Sequence, residues 1–381
     1  MKKNITVIAG DGIGPEVTRQ GIAVLEAIAK KYEHDFQYKH CLMGGVAIEE
    51  TGNPLPDDTI TACLAGDAVL LGAIGHPKYD NDPTAKVRPE QGLLKLRKAL
   101  ELFINIRPVT MYPSISHLSP LKDSRLKDVD FIIYRELTGG IYFGKKETSG
   151  DGNSATDECT YSVDEILRIA RPAFAEAQKR RGKLTLVDKA NVLETSRLWR
   201  KVVRELSVIH PDVTVDYMYV DNAAMQVILN PSQFDVILTE NMFGDIISDE
   251  ASVLCGSLGM LPSASIGSKV PLFEPIHGSY PQAAGKNIAN PMGTILSIAM
   301  MLEHFGMREE ANDVKQAVQA ALEQGVTTQD INATHGYTTT QVGTFICERI
   351  LDVVAQEADN YEEQVQETYT YNIDLGQSTI I

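Results

Sequence analysis

Positive charge is in short supply in this chain. Its 381 residues hold 35 Lys+Arg against 51 Asp+Glu, a formal net charge of −16. That balance argues against nonspecific binding to nucleic acid or anionic membranes, which needs excess cations. It suits a soluble, cytoplasmic protein that aims a few cations at an anionic ligand. Cysteine is sparse too: Cys41, Cys63, Cys159, Cys255 and Cys347 are scattered, odd in number and never spaced C-x-x-C. A zinc site or disulfide framework is therefore not expected, and a reducing compartment fits better. No apolar stretch approaches the ~20 residues of a membrane helix, and the run after Met1-Lys2-Lys3-Asn4 is too short for a secretory h-region. No internal repeat or low-complexity tract occurs. No Lys or Arg follows Arg349, and Tyr361–Ile381 reads as a solvated tail.

Two common nucleotide motifs are also missing. Gly10-Asp11-Gly12-Ile13-Gly14-Pro15 follows a short apolar run and opens a helix pattern, yet Pro15 stands where G-x-G-x-x-G needs glycine. No G-K-[ST] follows a glycine-rich loop. The motif by itself reads as a tight strand-to-helix turn, so any dinucleotide must bind in another way.

What is present is a globular composition, 43% apolar and 23% charged, in a length that allows ~2–3 domains and a large core. Apolar runs at Ile5–Ala9, Ala68–Leu71, Phe131–Tyr134, Leu184–Val187, Val213–Val220 and Phe234–Leu238 predict buried strands. Helix patterns alternate with them, which reads as α/β with a largely parallel sheet. Pro15 suits a first helical turn, with Val17, Val24, Leu25 and Ile28 on one face. Ser162 and Glu165 form a capping box for a helix ending at Gly182, with Pro172 inside it. Lys179-Arg180-Arg181 reads as cations complementing that helix's negative end. The polar segment 144–161 reads as an exposed arm or hairpin.

Candidate chemistry gathers where strands end, as ligand sites do in open α/β sheets. Asp245 and Asp249 share a helix face one turn apart, and Asp221 follows a strand. Such carboxylates fit a hard divalent cation, Mg²⁺ or Mn²⁺, or are simply solvated acids. Arg97, Arg107 and Arg135 fit a carboxylate ligand, with Arg135 conspicuous at the end of an apolar strand. Lys189 and Asn191 follow another strand. Tyr142 lies in a glycine-rich stretch, where a core or interface aromatic is the alternative. The loop Glu274–Pro291 is long, polar and glycine-bearing, suited to backbone contacts with a phosphate or base.

These residues together resemble the β-decarboxylating dehydrogenases, the isocitrate/isopropylmalate dehydrogenase family, and most of all its isopropylmalate branch. The resemblance runs from about Ile5 to about Val354. It is carried by Gly10–Glu16, Gly92–Lys98, Arg135–Gly144, Val187–Leu193, Asn241–Ser252 and Glu274–Pro291. It implies a two-domain α/β fold with a shared mixed sheet and a non-Rossmann dinucleotide site. Residues 1–102 plus 256–365 would form a discontinuous cofactor domain, residues 103–255 a substrate, metal and dimerisation domain with an arm near 144–161, and residues 366–381 a tail.

The resemblance further implies a homodimer with shared active sites. Arg97, Arg107 and Arg135 would hold the malate carboxylates. Asp245 and Asp249 would bind the metal, with Asp221 from the other subunit binding metal and substrate. Lys189, also from the other subunit, would be the base on the substrate hydroxyl, with a lowered pKa. Tyr142 would be the proton donor, and Asn191 a positioning group. Gly75, Glu274, His277, Gly278, Ser279, Gln282, Ala283 and Asn290 would contact NAD. Glu90, Leu93 and Leu94, on the helix of Arg97, would meet the substrate side chain; two leucines favour an isopropyl group over a third carboxylate, whose unpaired burial is costly. The implied reaction converts 3-isopropylmalate to 4-methyl-2-oxopentanoate, in leucine synthesis. One departure stands out: Gln282 replaces the Asp typical of NAD-dependent members, which leaves NAD⁺ favoured with weaker discrimination against NADP⁺. A tartrate or D-malate enzyme and a noncatalytic regulatory subunit are the competing readings; a phosphotransferase is disfavoured by the missing P-loop.

Overall fold

The computed structural model describes residues 1–80 and 85–352; the expected tail lies outside them. Ten strands form one sheet: β1 (Lys2–Gly10), β2 (Asp35–His40), β3 (Ala68–Ala73), β4 (Leu102–Thr110), β5 (Asp130–Glu136), β8 (Lys183–Asp188), β9 (Thr214–Tyr219), β10 (Val236–Thr239), β11 (Pro262–Gly267) and β12 (Leu272–Pro275). Their spatial order is β2-β1-β3-β12-β11-β4-β5-β10-β8-β9. Two parallel blocks, β2-β1-β3-β12 and β5-β10-β8-β9, are joined through antiparallel pairings of β11 with β12, of β11 with β4, and of β4 with β5. The sheet is therefore mixed, with two mainly parallel halves.

The apolar runs have a simple cause. Helices cover both faces, so both sides of each central strand are buried. On β5, Phe131 and Ile133 enter one core cluster while Ile132 and Tyr134 enter another. On β3, Ala68 and Leu70 face the helices Gly14–Tyr32 and Met292–His304, and Val69 and Leu71 face the opposite cluster with Leu96 and Leu100. Each of the buried Val, Leu, Ile and Phe side chains among them contributes roughly 1.5–3 kcal/mol.

Local expectations hold at most positions. Pro15 stands in the first turn of Gly14–Tyr32. The Ser162/Glu165 capping box is formed at the start of Val163–Lys179, and Pro172 lies inside that helix. The arm carries the hairpin of β6 (Lys146–Thr148) and β7 (Ala155–Asp157), exposed throughout.

Three expectations are corrected. The helix ends at Lys179, and Gly182 lies beyond it with φ +73°, its N–H on the Ala177 carbonyl at 3.0 Å. Arg180 and Arg181 do not serve the helix end: they clamp neighbouring strands, Arg180 at 2.8 Å to Asp235 and 3.0 Å to Asp130, and Arg181 on the Asp130 and Phe234 carbonyls. Buried Asp235 is compensated by the Arg180 guanidinium and by the Arg181 and Lys183 backbone N–H groups. The strand expected over Val213–Val220 stops at Tyr219, and Asp221 sits in the first turn of the helix Val220–Leu229.

Candidate active site

The parallel strands β5, β10, β8 and β9 all release their chains on one edge of the sheet. Arg135 stands at that end of β5. Asn241 follows β10, Lys189 follows β8, and Asp221 follows β9. Asn241 opens the helix Asn241–Ser252, whose N-cap Glu240 accepts from the Phe243 N–H at 2.9 Å. This cap fixes the helix that carries Asp245 and Asp249.

Arg135 is 4% exposed, so its charge needs compensation. Its Nε donates to the Asn241 carbonyl at 3.0 Å, its Nη2 to Asn241 Oδ1 at 2.9 Å, and its Nη1 to Asp245. Burial lowers its pKa to about 10, with Arg107 and Arg97 nearby adding to that and Asp245 opposing it. The guanidinium still carries its charge at neutral pH. Arg107 donates to Asn105 at 2.8 Å, to Ser248 at 2.7 Å and to Asp249 at 2.8 Å. Arg97, on the helix Pro89–Ala99, reaches Glu274 at the end of β12 at 3.2 Å, while its Nε is buried without a hydrogen-bond partner. Tyr142 Oη donates to Asp245 Oδ2 at 2.8 Å, and its ring lies 5.8 Å from the Arg135 guanidinium carbon. Burial, then the Asp245 hydrogen bond, raises the Tyr142 pKa to about 12. Three arginines, two aspartates, a glutamate and a tyrosine thus meet in one place.

Lys189 stands apart, paired with Asp221 at 2.9 Å. That bond holds the Asp221 carboxyl below its ordinary pKa. The turn around Lys189 is rigid: its N–H reaches Ser196 at 3.0 Å, and buried Asp188 accepts from Ala190 N–H and from Arg200. Asn191 is exposed on the same turn. Among the described residues of one chain, no group of three His, Cys, Asp or Glu side chains is placed to hold a metal ion. Asp245 and Asp249 alone offer a pair of hard oxygen donors on one helix face, which suits a cation that keeps several waters.

The other candidate loops lie at the ends of β1, β3 and β12. Asp11, 3% exposed, accepts from Gly45, Val46 and Gly75 N–H groups at 2.9–3.0 Å. Gly12 has φ +58°, and a Cβ there would lie 1.9 Å from the Ser279 carbonyl oxygen, so only glycine fits. The tight-turn reading of this motif is correct. Along the loop after β12, Ala283 and Asn290 are buried and Gly278 and Gln282 exposed, while Ser279 is buried beside Gly75. His277 Nδ1–H donates to the Gly278 carbonyl at 3.0 Å, and its Nε2 is buried without a partner. Burial lowers its pKa. Asn290 Nδ2 donates to Asp330 at 3.1 Å. Of the helix residues beside Arg97, Leu93 packs partly on the core, while Glu90 and Leu94 are exposed.

Sequence reasoning missed Asn241, Asn105, Ser248 and Glu240. Asn241 sits at a strand end like Lys189, and that position was the available signal. Ser248 and Asn105 serve Arg107 through contacts no local pattern encodes.

A family profile described as isocitrate/isopropylmalate dehydrogenase matches residues 4–346. The chain is 52% identical over 347 residues to a 3-isopropylmalate dehydrogenase of Bacillus subtilis (strain 168), covering 90% of this chain and 95% of that one. It is 51% identical over 352 residues to a 3-isopropylmalate dehydrogenase of Bacteroides fragilis (strain YCH46), covering 92% and 99%. The crystal structure of isocitrate dehydrogenase from Methylococcus capsulatus superposes with a TM-score of 0.83 at 35% identity, covering 92% and 99%.

Proposed function

The chain belongs to the isocitrate/isopropylmalate dehydrogenase family, and on that premise we propose that it oxidises 3-isopropylmalate at C2 and releases CO₂ to leave 4-methyl-2-oxopentanoate. It is a decarboxylating oxidoreductase of leucine biosynthesis. The observation that carries this reading is the joint presence of the Arg97, Arg107 and Arg135 cluster with Asp245, Asp249 and Tyr142.

The arginines hold the two malate carboxylates, Arg135 fixed in place by Asn241. The partner subunit's Lys189, paired with Asp221 in its own chain, takes the proton of the C2 hydroxyl, which requires the neutral amine. After CO₂ departs, Tyr142 returns a proton to the former carboxylate-bearing carbon; its raised pKa keeps that proton on the phenol at neutral pH. Asp245 and Asp249, with the partner subunit's Asp221, hold Mg²⁺ or Mn²⁺. The loops of Gly75, Glu274, His277–Ser279, Gln282–Ala283 and Asn290 hold the dinucleotide, NAD⁺, and Glu90, Leu93 and Leu94 receive the isopropyl end. When bound, the dinucleotide supplies a two-electron acceptor and the cation neutralises charge at the substrate oxygens.

Residues 1–102 plus 256–352, the described part of the expected 256–365, form the cofactor domain in this reading, and 103–255 the substrate and dimer domain. The dimer is supported by apolar exposure on adjoining helices: Met225, Ile228 and Leu229 on Val220–Leu229, and Ile246 on Asn241–Ser252. An exposed apolar patch of this kind marks an interaction surface. It lies on the elements that carry Asp221, Asp245 and Asp249. Among the described residues no helix is long and apolar enough to cross a membrane, and a cytoplasmic location fits a biosynthetic enzyme.

The test is reduction of NAD⁺ and NADP⁺ by the purified chain with Mg²⁺ on 3-isopropylmalate, isocitrate, D-malate and tartrate. Preference for 3-isopropylmalate with NAD⁺ is expected. Dominance of another acid would overturn the substrate, and a folded dimer with no turnover would favour a regulatory subunit.

A further inference from the structure

The Gly10–Glu16 turn is not itself among the residues assigned to ligands, yet it touches the loop after β12 at two points. Ile13 N–H donates to the Ser279 carbonyl at 2.8 Å. Six residues later in that loop, the Gly285 N–H donates to Glu16 Oε1. Gly285 has φ +74° with open space around it, so glycine is there for its backbone conformation and not for room. Between these two points lie Gln282 and Ala283. Glu16 belongs to the first turn of Gly14–Tyr32, and Val17, one residue on, is fully buried against Ala283 and Ala289. The turn is itself immobilised, because Asp11 is held by three backbone N–H groups and a Cβ at Gly12 would collide with Ser279. On the solvent side a cleft of about 380 Å³ opens between Pro15, Glu16, Arg19, Gly285, Asn287 and Thr340. Past Gly285 the loop is held again, where Asn287 accepts from the Thr339 and Thr340 N–H groups, so within 279–285 Glu16 is the side chain that spans from the helix Gly14–Tyr32 to the loop.

We propose that Glu16 is a positioning residue for dinucleotide binding: its carboxylate, with the Ile13 N–H, pins the 279–285 loop at both ends. The glycine-rich turn that fails as a Rossmann fingerprint thus acts from behind the loop and not on the phosphates. This rests on the reading of that loop as the dinucleotide's. A charge-assisted hydrogen bond to a backbone N–H is among the stronger ones, so its loss lets the loop populate conformations that do not bind, and affinity falls with the competent fraction.

The experiment uses full-length protein and three variants, Glu16→Ala, Glu16→Met and Glu16→Gln. Met preserves bulk and helix propensity without an acceptor; Gln keeps one oxygen. Hydrogen–deuterium exchange without ligands is expected to speed up about ten-fold across residues 283–287 in E16A and E16M, with β5 unchanged. NADH titrated by its fluorescence is expected to bind about ten-fold more weakly in both, with KM for NAD⁺ following and kcat and KM for 3-isopropylmalate within about two-fold of wild type. E16Q is expected to recover most of both effects. Unchanged exchange in E16A and E16M overturns the proposal. So does unchanged NADH binding, an equal loss of substrate affinity, or failure of both variants to fold while E16Q folds, which would make Glu16 a residue of the fold. If wild type itself binds no NADH, the cofactor reading of the loop is what fails, and the exchange comparison alone decides whether Glu16 pins it.

Discussion

At the scale of single residues, the site is organised by who compensates whom. Tyr142 keeps its proton to about pH 12 because burial and Asp245 both disfavour the phenolate. Burial and Asp245 thus keep the Tyr142 phenol protonated through the neutral range. Y142F is expected to lower kcat by ~10²–10⁴-fold, the range for a lost general acid, while the pH–rate profile keeps its shape; a shifted alkaline limb would contradict this. Glu240 gives a second test. It is buried, accepts from Phe243 N–H and Tyr161 Oη, and burial raises its pKa above the ordinary 4.5. A raised pKa favours folding while the group is protonated, and that contribution is lost as pH climbs through the raised value. The urea midpoint of E240Q relative to wild type is therefore expected to be flat below pH 4.5 and to rise as pH climbs from there through the raised value. Arg135 was legible in the sequence as a charge ending an apolar strand. Its grip by Asn241 was not, because that contact joins residues 106 positions apart.

Elements were legible where one short-range rule decides them. Strands buried on both faces read as unbroken apolar runs, and the box at Ser162 read as a helix start. S162A is expected to cost ~1 kcal/mol of unfolding free energy, the usual worth of a lost N-cap, measured by urea denaturation with activity retained. The rule that cations complement a helix end holds for Lys179, in the helix's last turn, and failed at Arg180 and Arg181. Buried Asp235 takes the Arg180 guanidinium and the Arg181 backbone N–H, and the Arg181 guanidinium goes to the Asp130 and Phe234 carbonyls. Strand limits near Val220 failed for a similar reason: the apolar character of Val220 says nothing about whether it closes a strand or opens a helix.

At the scale of the molecule, the order of the sheet was the least legible feature. Its two parallel blocks meet through β11 and β4, strands about 160 residues apart in the chain, so no local pattern announces the pairing. The resemblance supplied a mixed shared sheet, and the structure has one. The same scale governs activity if the Lys189–Asp221 pair completes the site of a second subunit. I246D, at a residue 58% exposed on the candidate dimer face, is expected to yield a monomer by light scattering with activity reduced at least ~100-fold. A monomer with full turnover would show that one chain suffices.

The cluster of Arg107, Arg135, Asp245 and Asp249 is already internally neutralised in the free chain. On the proposed function, a dication arriving alone would have to pull the aspartates from their arginines, and a dianion arriving alone the arginines from their aspartates. Arriving together, each takes the partner that the other sets free, and two ion pairs are exchanged for two others. Loading is then a partner swap with little change in total charge. Each ligand's apparent affinity becomes a function of the other's concentration, and the magnitude of that thermodynamic coupling is equal in both directions.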